Sequence, residues 1–274
     1  MTPRGRWLLA VLVVGLLIVA AGVTFALRPG GGLADAAPAD PDAAKIAGER
    51  LLASRDATIL VVVAHPDDAE YWAGGTLALL ARHNRVVLLM GTSGDKGDAG
   101  LVPGLGAIRE RLQREAGRIL GYRDIVFLRD PDGGLAASTA YPGEVRRAFA
   151  TYRPTIVVTF DIAEEAAVYH HPDHEAAGRA ATAVANDLGG ITLYLIHTRA
   201  PDVVIDYDAV RTEKARAFTL LGSYRDYAPV VGWLNPALRT IGGRRPLSYG
   251  GRAVLPSVGI SYGELFREVV VPKR

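Results

Sequence analysis

Four of the six histidines in this 274-residue chain fall in two short stretches that are also rich in aspartate. The first stretch is Ala64-His65-Pro66-Asp67-Asp68-Ala69-Glu70, and the second is His170-His171-Pro172-Asp173-His174. An imidazole and a carboxylate three residues apart at a strand-to-helix turn can face one ion. A distant histidine can then close a three-ligand site that keeps a position open for water. The chain has no cysteine, so any metal must sit on His, Asp or Glu. Zn2+ suits such mixed nitrogen and oxygen ligation, and Fe2+ or Mn2+ suit it as well. A metal so held lowers the pKa of its water toward 7 and polarises a carbonyl, which is what amide hydrolysis requires. A carboxylate outside the ligand set must take the proton. Asp67 and Asp68 are adjacent, so their side chains leave the backbone in different directions, and one can ligate while the other serves as base. The plainer reading of either stretch is turn chemistry, because Asp after a strand is a common helix cap and Pro suits the first helical turn. Two such stretches at two strand ends favour the catalytic reading. His83 and His197 lack such company and read as surface or packing residues.

Those residues need strands that end where they begin. Short β-branched runs alternate with longer helical patterns from residue 58 onward. Strands are expected at Thr58 to Val63, Val86 to Met90, Ile125 to Leu128, Thr155 to Phe160, Ile191 to Ile196 and Val203 to Ile205. Helices are expected near Gly75 to Arg82, Ile108 to Leu120, Gly143 to Tyr152, Asp173 to Asn186 and Asp208 to Leu221. The alternation predicts an α/β fold, a mostly parallel, doubly wound sheet with helices on both faces. In such a sheet ligands bind beyond the carboxyl ends of the strands, where His65 and the second histidine stretch fall. Beyond Gly222 the pattern dissolves into Gly, Pro, Arg and Tyr, with one extended segment at Glu268 to Val271.

Trp7 to Leu27 is a run of 21 uncharged residues, long enough as a helix to span a bilayer core of about 30 Å. It reads as one N-terminal transmembrane helix. Arg4 and Arg6 before it favour a cytoplasmic start and an extracytoplasmic body. A signal peptide cleaved near Ala34 to Ala39, giving a secreted protein, is the competing reading. The expected organisation is an anchor at 1–28, a flexible Pro/Gly/Ala/Asp linker at 29–41 and a folded domain at 42–274, with the motifs in 58–221. Hydrophobic residues are 49% of the chain and charged ones 22%, which excludes wholesale disorder. A formal charge of +2 is too small for the broad basic face of a nucleic-acid binder. The excess is local: six basic residues stand against two acidic ones from Thr240 to Arg274, a stretch able to meet a phosphate-bearing or lipid-linked ligand.

The first motif with the Gly74-Gly75-Thr76-Leu77 that follows it, then Gly91-Thr92-Ser93-Gly94-Asp95-Lys96-Gly97, then His171-Pro172-Asp173-His174, resembles the PIG-L/LmbE-like family of zinc-dependent N-deacetylases. The resemblance runs from Thr58 to Leu221. It implies a Rossmann-like fold and removal of an N-acetyl group from an N-acetylglucosamine-type sugar. It implies His65, Asp68 and His174 as metal ligands and Asp67 as the general base. It also implies that His171 steadies the oxyanion or protonates the leaving amine, and that Arg109 and Asp132 contact the sugar. Two positions depart from the family pattern: Leu112, where a Glu is usual, and Leu221 to Arg225, where many members carry a His-x-Ser-Gln stretch. The alternatives from other classes are a metal-dependent amidase or esterase on a non-sugar substrate, and a non-catalytic envelope carbohydrate-binding protein.

Overall fold

The computed structural model describes residues 37–97, 102–162, 171–223 and 251–273. Trp7 to Leu27, His170 and residues 224–250 lie outside these. Among the described residues no helix is long and apolar enough to cross a membrane.

Eight strands form one sheet in the order β3-β2-β1-β4-β5-β8-β6, with β7 paired to β8. They are β1 (Thr58–Val63), β2 (Arg85–Thr92), β3 (Asp124–Asp130), β4 (Ile156–Phe160), β5 (Ile191–Ile196), β6 (Val203–Asp206), β7 (Ala253–Leu255) and β8 (Ile260–Val271). Strands β1 to β5 are mutually parallel, while β8 runs antiparallel to β5, β6 and β7. Parallel strands covered on both faces must be apolar throughout. Ile59 to Val63 and Ile156 to Phe160 are accordingly buried without a break.

The helices are α1 (Pro41–Leu52), α2 (Asp68–Ala81), α3 (Leu105–Leu120), α4 (Tyr141–Tyr152), α5 (Pro172–Leu188) and α6 (Arg211–Leu221). Helix α2 packs on α3 and α6, whereas α4 packs on α5. Right-handed crossovers put these two groups on opposite faces of the sheet. The strand order reverses between β1 and β4, so their carboxyl ends flank the crevice where open α/β sheets bind ligands.

Three sequence expectations are corrected. Helix α2 starts at Asp68, seven residues before the expected Gly75, because Gly74 and Gly75 lie inside the helix rather than opening it. A Cβ on Gly75 would come within 2.4 Å of the Tyr207 ring, so close approach rather than backbone freedom explains that glycine. Helix α1 was not expected: its sequence carries a short amphipathic pattern, capped by the Asp40 side chain on the amide of Ala43. The final extended segment is a 12-residue strand, β8, twice crossed by polar side chains that find buried partners. Glu264 is one of them, with no exposed side-chain surface: it accepts from the amides of Gly75 and Thr76 and pairs with the equally buried Lys214 at 2.6 Å. That pair ties β8 and α6 to the middle of α2. Burial holds the Lys214 pKa below its ordinary value, against the pull of Glu264.

Candidate metal centre

Strand β1 ends in the crevice, and the next four residues form the floor of the site. Tyr71 donates its amide to the carbonyl of Asp67 at 2.8 Å, starting α2 directly from the turn. Asp67 takes φ 101°, a conformation that L side chains rarely adopt. Its amide donates to Gln113 of α3 at 3.2 Å, and Arg109 of the same helix donates to its carboxylate at 2.9 Å. Arg109 also donates to the carbonyls of Pro66 and Gly94. The strained turn is therefore held in place by two side chains from α3. The guanidinium of Arg109 bridges this turn and the Gly94 loop, with 9% of its side chain exposed.

Asp68 opens α2, and its Oδ2 accepts from the amides of Ala64 and His65 at 3.2 and 2.7 Å. The same oxygen lies 3.6 Å from His65 Nδ1, and its Oδ1 lies 3.3 Å from His174 Nε2. These spacings match the edge of a tetrahedron with bonds of about 2.1 Å to a central ion, which is roughly 3.4 Å. On the far side of the imidazole, His65 Nε2 lies 3.3 Å from both Asp132 Oδ1 and Asp173 Oδ2. A metal-binding imidazole characteristically donates its other N–H to a carboxylate, which fixes the tautomer and the ring orientation. His65 has that arrangement, with Nδ1 turned to Asp68 and Nε2 to carboxylates.

The second motif enters from α5. His171 is the residue before the helix, Pro172 occupies its first turn, and His174 follows one turn on. The spacing stacks the rings of His171 and His174, with centroids 4.4 Å apart and planes 13° from parallel. Phe160, the last residue of β4, covers the other face of His174 at 4.1 Å. One ring nitrogen from each of His65, His171 and His174 falls within 4.8 Å of the others.

Four aspartates, at 67, 68, 132 and 173, converge here against one arginine. Burial opposes charge on His65, yet Asp132, Asp173 and Asp68 outweigh it and push its pKa up to about 12. Burial also works against ionised Asp68, but the neighbouring His174 and His65 hold its pKa well below the usual carboxylate range. A site that draws a cation this strongly, with the two oxygens of Asp68 at 3.6 and 3.3 Å from ring nitrogens of His65 and His174, fits a divalent metal. Asp67 keeps 35% of its side chain open to the crevice. The protein packed around it nonetheless pushes its pKa up to about 6, against the pull of Arg109. His171 moves the other way, lowered first by burial and then by the two neighbouring histidines.

The structure therefore brings His65, Asp67, Asp68, His171 and His174 into one crevice. It places Asp132 against His65 and the amide of Lys96, at 2.8 Å, and Arg109 beneath Asp67. Sequence reasoning passed over Asp173. It is fully buried, and it accepts from the amides of Gly133 and Leu135 at 2.6 and 2.9 Å while facing His65. The signal was its place between two candidate site residues, on the first turn of a helix.

The family description "PIG-L: GlcNAc-PI de-N-acetylase" matches residues 60–185, a span that contains every residue of the crevice named above. That match covers a little under half of the chain. A stretch of 133 residues is 35% identical to the probable N-acetyl-alpha-D-glucosaminyl L-malate deacetylase 2 of Bacillus anthracis, covering 44% of this chain and 56% of the relative. The chain spans little more than half the length of the curated relatives it matches. Among solved structures, the N,N'-diacetylchitobiose deacetylase of Pyrococcus horikoshii superposes with a TM-score of 0.58 at 22% identity, over 77% of this chain and 83% of that one. The 4-carboxy-2-hydroxymuconate hydratase of Pseudomonas putida superposes with a TM-score of 0.55 at 19% identity, over 80% and 98%. At these identities the superpositions show a shared fold, which does not by itself carry a chemistry.

Proposed function

We propose that this protein is a zinc-dependent de-N-acetylase acting on an N-acetylglucosamine-type sugar. The observation that carries the reading is the His65, Asp68 and His174 donor set, with the ionisable Asp67 beside it, inside the span that matches the PIG-L description. Zn2+ is the proposed metal on those three residues, and Fe2+ or Mn2+ fit the same donors. A bound ion supplies a polarised amide carbonyl and a water of lowered pKa.

Asp67 takes a proton from the attacking water, and its raised pKa suits a base working near neutrality. Arg109 fixes the direction of that carboxylate from below. His171, across the crevice, donates a hydrogen bond to the oxygen that becomes negative as the carbonyl carbon turns tetrahedral. The C–N bond then breaks, and the proton held by Asp67 or His171 passes to the amine, leaving acetate and a free amino sugar. Asp173 and Asp132 hold His65 in the tautomer that keeps Nδ1 free to ligate. In this role Asp132 orients a ligand, and any contact from its carboxylate to a sugar hydroxyl is secondary.

The substrate is proposed to be a glycolipid or cell-envelope glycan. Support comes from the uncharged Trp7 to Leu27 run, read as an anchor or a cleaved signal with the body outside the cytoplasm. A metal-dependent amidase or esterase on a non-sugar substrate is the second reading, since the same donor set would polarise those carbonyls as well. Acetate release by the full chain with Zn2+ separates the two when acetamido sugars, glycolipids and simple esters are compared, with Asp67→Asn as control. Release from sugars that vanishes in the control supports the proposal. Turnover of esters alone moves the assignment to the second reading.

A further inference from the structure

The opposite edge of the sheet has a chemistry of its own. Because β1 to β5 are parallel, each helix-to-strand loop returns to this amino edge. Arg55 precedes β1, Arg82 and Arg85 flank the turn into β2, and Arg123 precedes β3, all four of them exposed. Together with His83 they line an open groove of about 780 Å³ in which Asp56 is the one carboxylate.

Several other arginines of the described chain are tied to carboxylates, for example Arg50 to Glu268, Arg129 to Glu110 and Arg267 to Asp161, while Arg118, Arg153, Arg199 and Arg216 form no ion pair among the described residues. The groove gathers such arginines in one place. Among the described residues, Arg82, Arg85 and Arg123 form no ion pair; Arg85 lies over the Tyr152 ring at 5.3 Å. Arg55 donates only to the carbonyls of Leu52 and Ser54. Asp124, next to Arg123 in sequence, accepts from the amide of Ile125 and the hydroxyl of Tyr152. Helix dipoles favour a cation at the carboxyl end of each helix, which accounts for Arg82 following α2. They do not account for Arg85 and Arg123, which stand at strand starts and converge on the same groove.

We propose that this groove is a binding site for a phosphate-bearing ligand, separate from the metal centre and at the other end of the sheet. Planar guanidinium forks match phosphate oxygens in pairs, and several unpaired forks around one concavity leave a positive potential that a phosphate group neutralises. The groove volume lies within the range of small-ligand sites, about 300 to 1,000 Å³. The phosphate can come from a lipid headgroup or from a soluble phosphate ester.

Hydrogen exchange on the full chain tests the site and tells the sources apart. One arm compares inorganic phosphate with chloride at equal ionic strength, and the other compares phosphatidylglycerol vesicles with phosphatidylcholine vesicles. The expected result is saturable slowing of exchange at residues 53–58, 82–86 and 121–124, about tenfold when ligand stands at ten times its dissociation constant. The doubly substituted chain, Arg82→Gln with Arg123→Gln, should lose that slowing while keeping its unfolding midpoint. Protection by phosphate assigns a soluble ester, and protection only by phosphatidylglycerol assigns a headgroup. Protection that chloride reproduces, that persists in the double variant, or that neither probe produces overturns the proposal.

Discussion

Replacing Asp173 by Asn removes a negative charge that no solvent can replace, since the side chain is fully buried and lies 3.3 Å from His65 Nε2. Loss of a carboxylate behind a ligating histidine typically weakens metal binding about 10- to 100-fold. Here the lower end of that range is expected, because Asp132 Oδ1 stands at the same 3.3 Å from the same nitrogen and can keep the tautomer by itself. The double variant Asp132→Asn with Asp173→Asn removes both, so it should fall to the upper end or beyond, by more than the product of the two single effects. A second cost is separate from the metal. Asp173 accepts the amides of Gly133 and Leu135, and an Asn oxygen can keep only one of them, leaving a buried donor unpaired at about 1 to 3 kcal/mol. Zinc affinity by chelator competition reads the first effect, and urea unfolding of the metal-free chain reads the second. Wild-type zinc affinity in the double variant would refute the orienting role. A stability loss without an affinity loss would reduce Asp173 to a loop anchor.

Asp67→Asn should retain zinc and lose turnover by about two to four orders of magnitude, the usual worth of a general base; metal analysis alongside acetate release checks both halves. His171→Ala should keep the metal and cut turnover by about two to three orders, and full-rate turnover would remove it from the mechanism. Lys214→Met leaves Glu264 buried and without its cation, so urea unfolding should report a loss of about 3 to 5 kcal/mol, whereas an exposed pair would give less than about 1. Glu110 is held down to about 2, first by hydrogen bonding to Arg129, so its contribution to stability is complete above pH 4.5 and drains as pH falls toward 2. Glu110→Gln should therefore flatten the acid limb of a stability-against-pH curve in that window; an unchanged limb would show the pairing to be too solvent-screened to matter.

The central strands, the late helices and the five residues at the heart of the crevice were legible from sequence because each rests on local chemistry. Apolar runs at Ile59 to Val63 and Ile156 to Phe160 have one economical use, a strand buried on both faces. His171 and His174 are one helical turn apart, so any helix begun at Pro172 brings their rings together. Helix α2 was misplaced because two adjacent glycines inside it look like a helix boundary until the Tyr207 ring is seen against Gly75. The length of β8 was hidden because its polar residues, Glu264 and Arg267, break the apolar pattern that marks a strand, and their partners Lys214 and Asp161 lie far away in sequence.

By itself the sequence determined which residue types stand at two strand ends, and hence that a cation held by histidine and aspartate was the chemistry available. Tertiary structure decided the division of labour among them. Arg109 and Gln113, 42 and 46 positions after Asp67, hold that aspartate in a strained turn. Asp132, from the turn after β3, and Asp173, from the first turn of α5, converge on the back of His65. Tertiary structure also gathered on one edge of the sheet arginines that are scattered from 55 to 123 along the chain. Spacing along a chain reports only the neighbours within a turn or two. Charge, orientation and pKa are set by groups in contact through space, and those contacts exist only after the strands have paired.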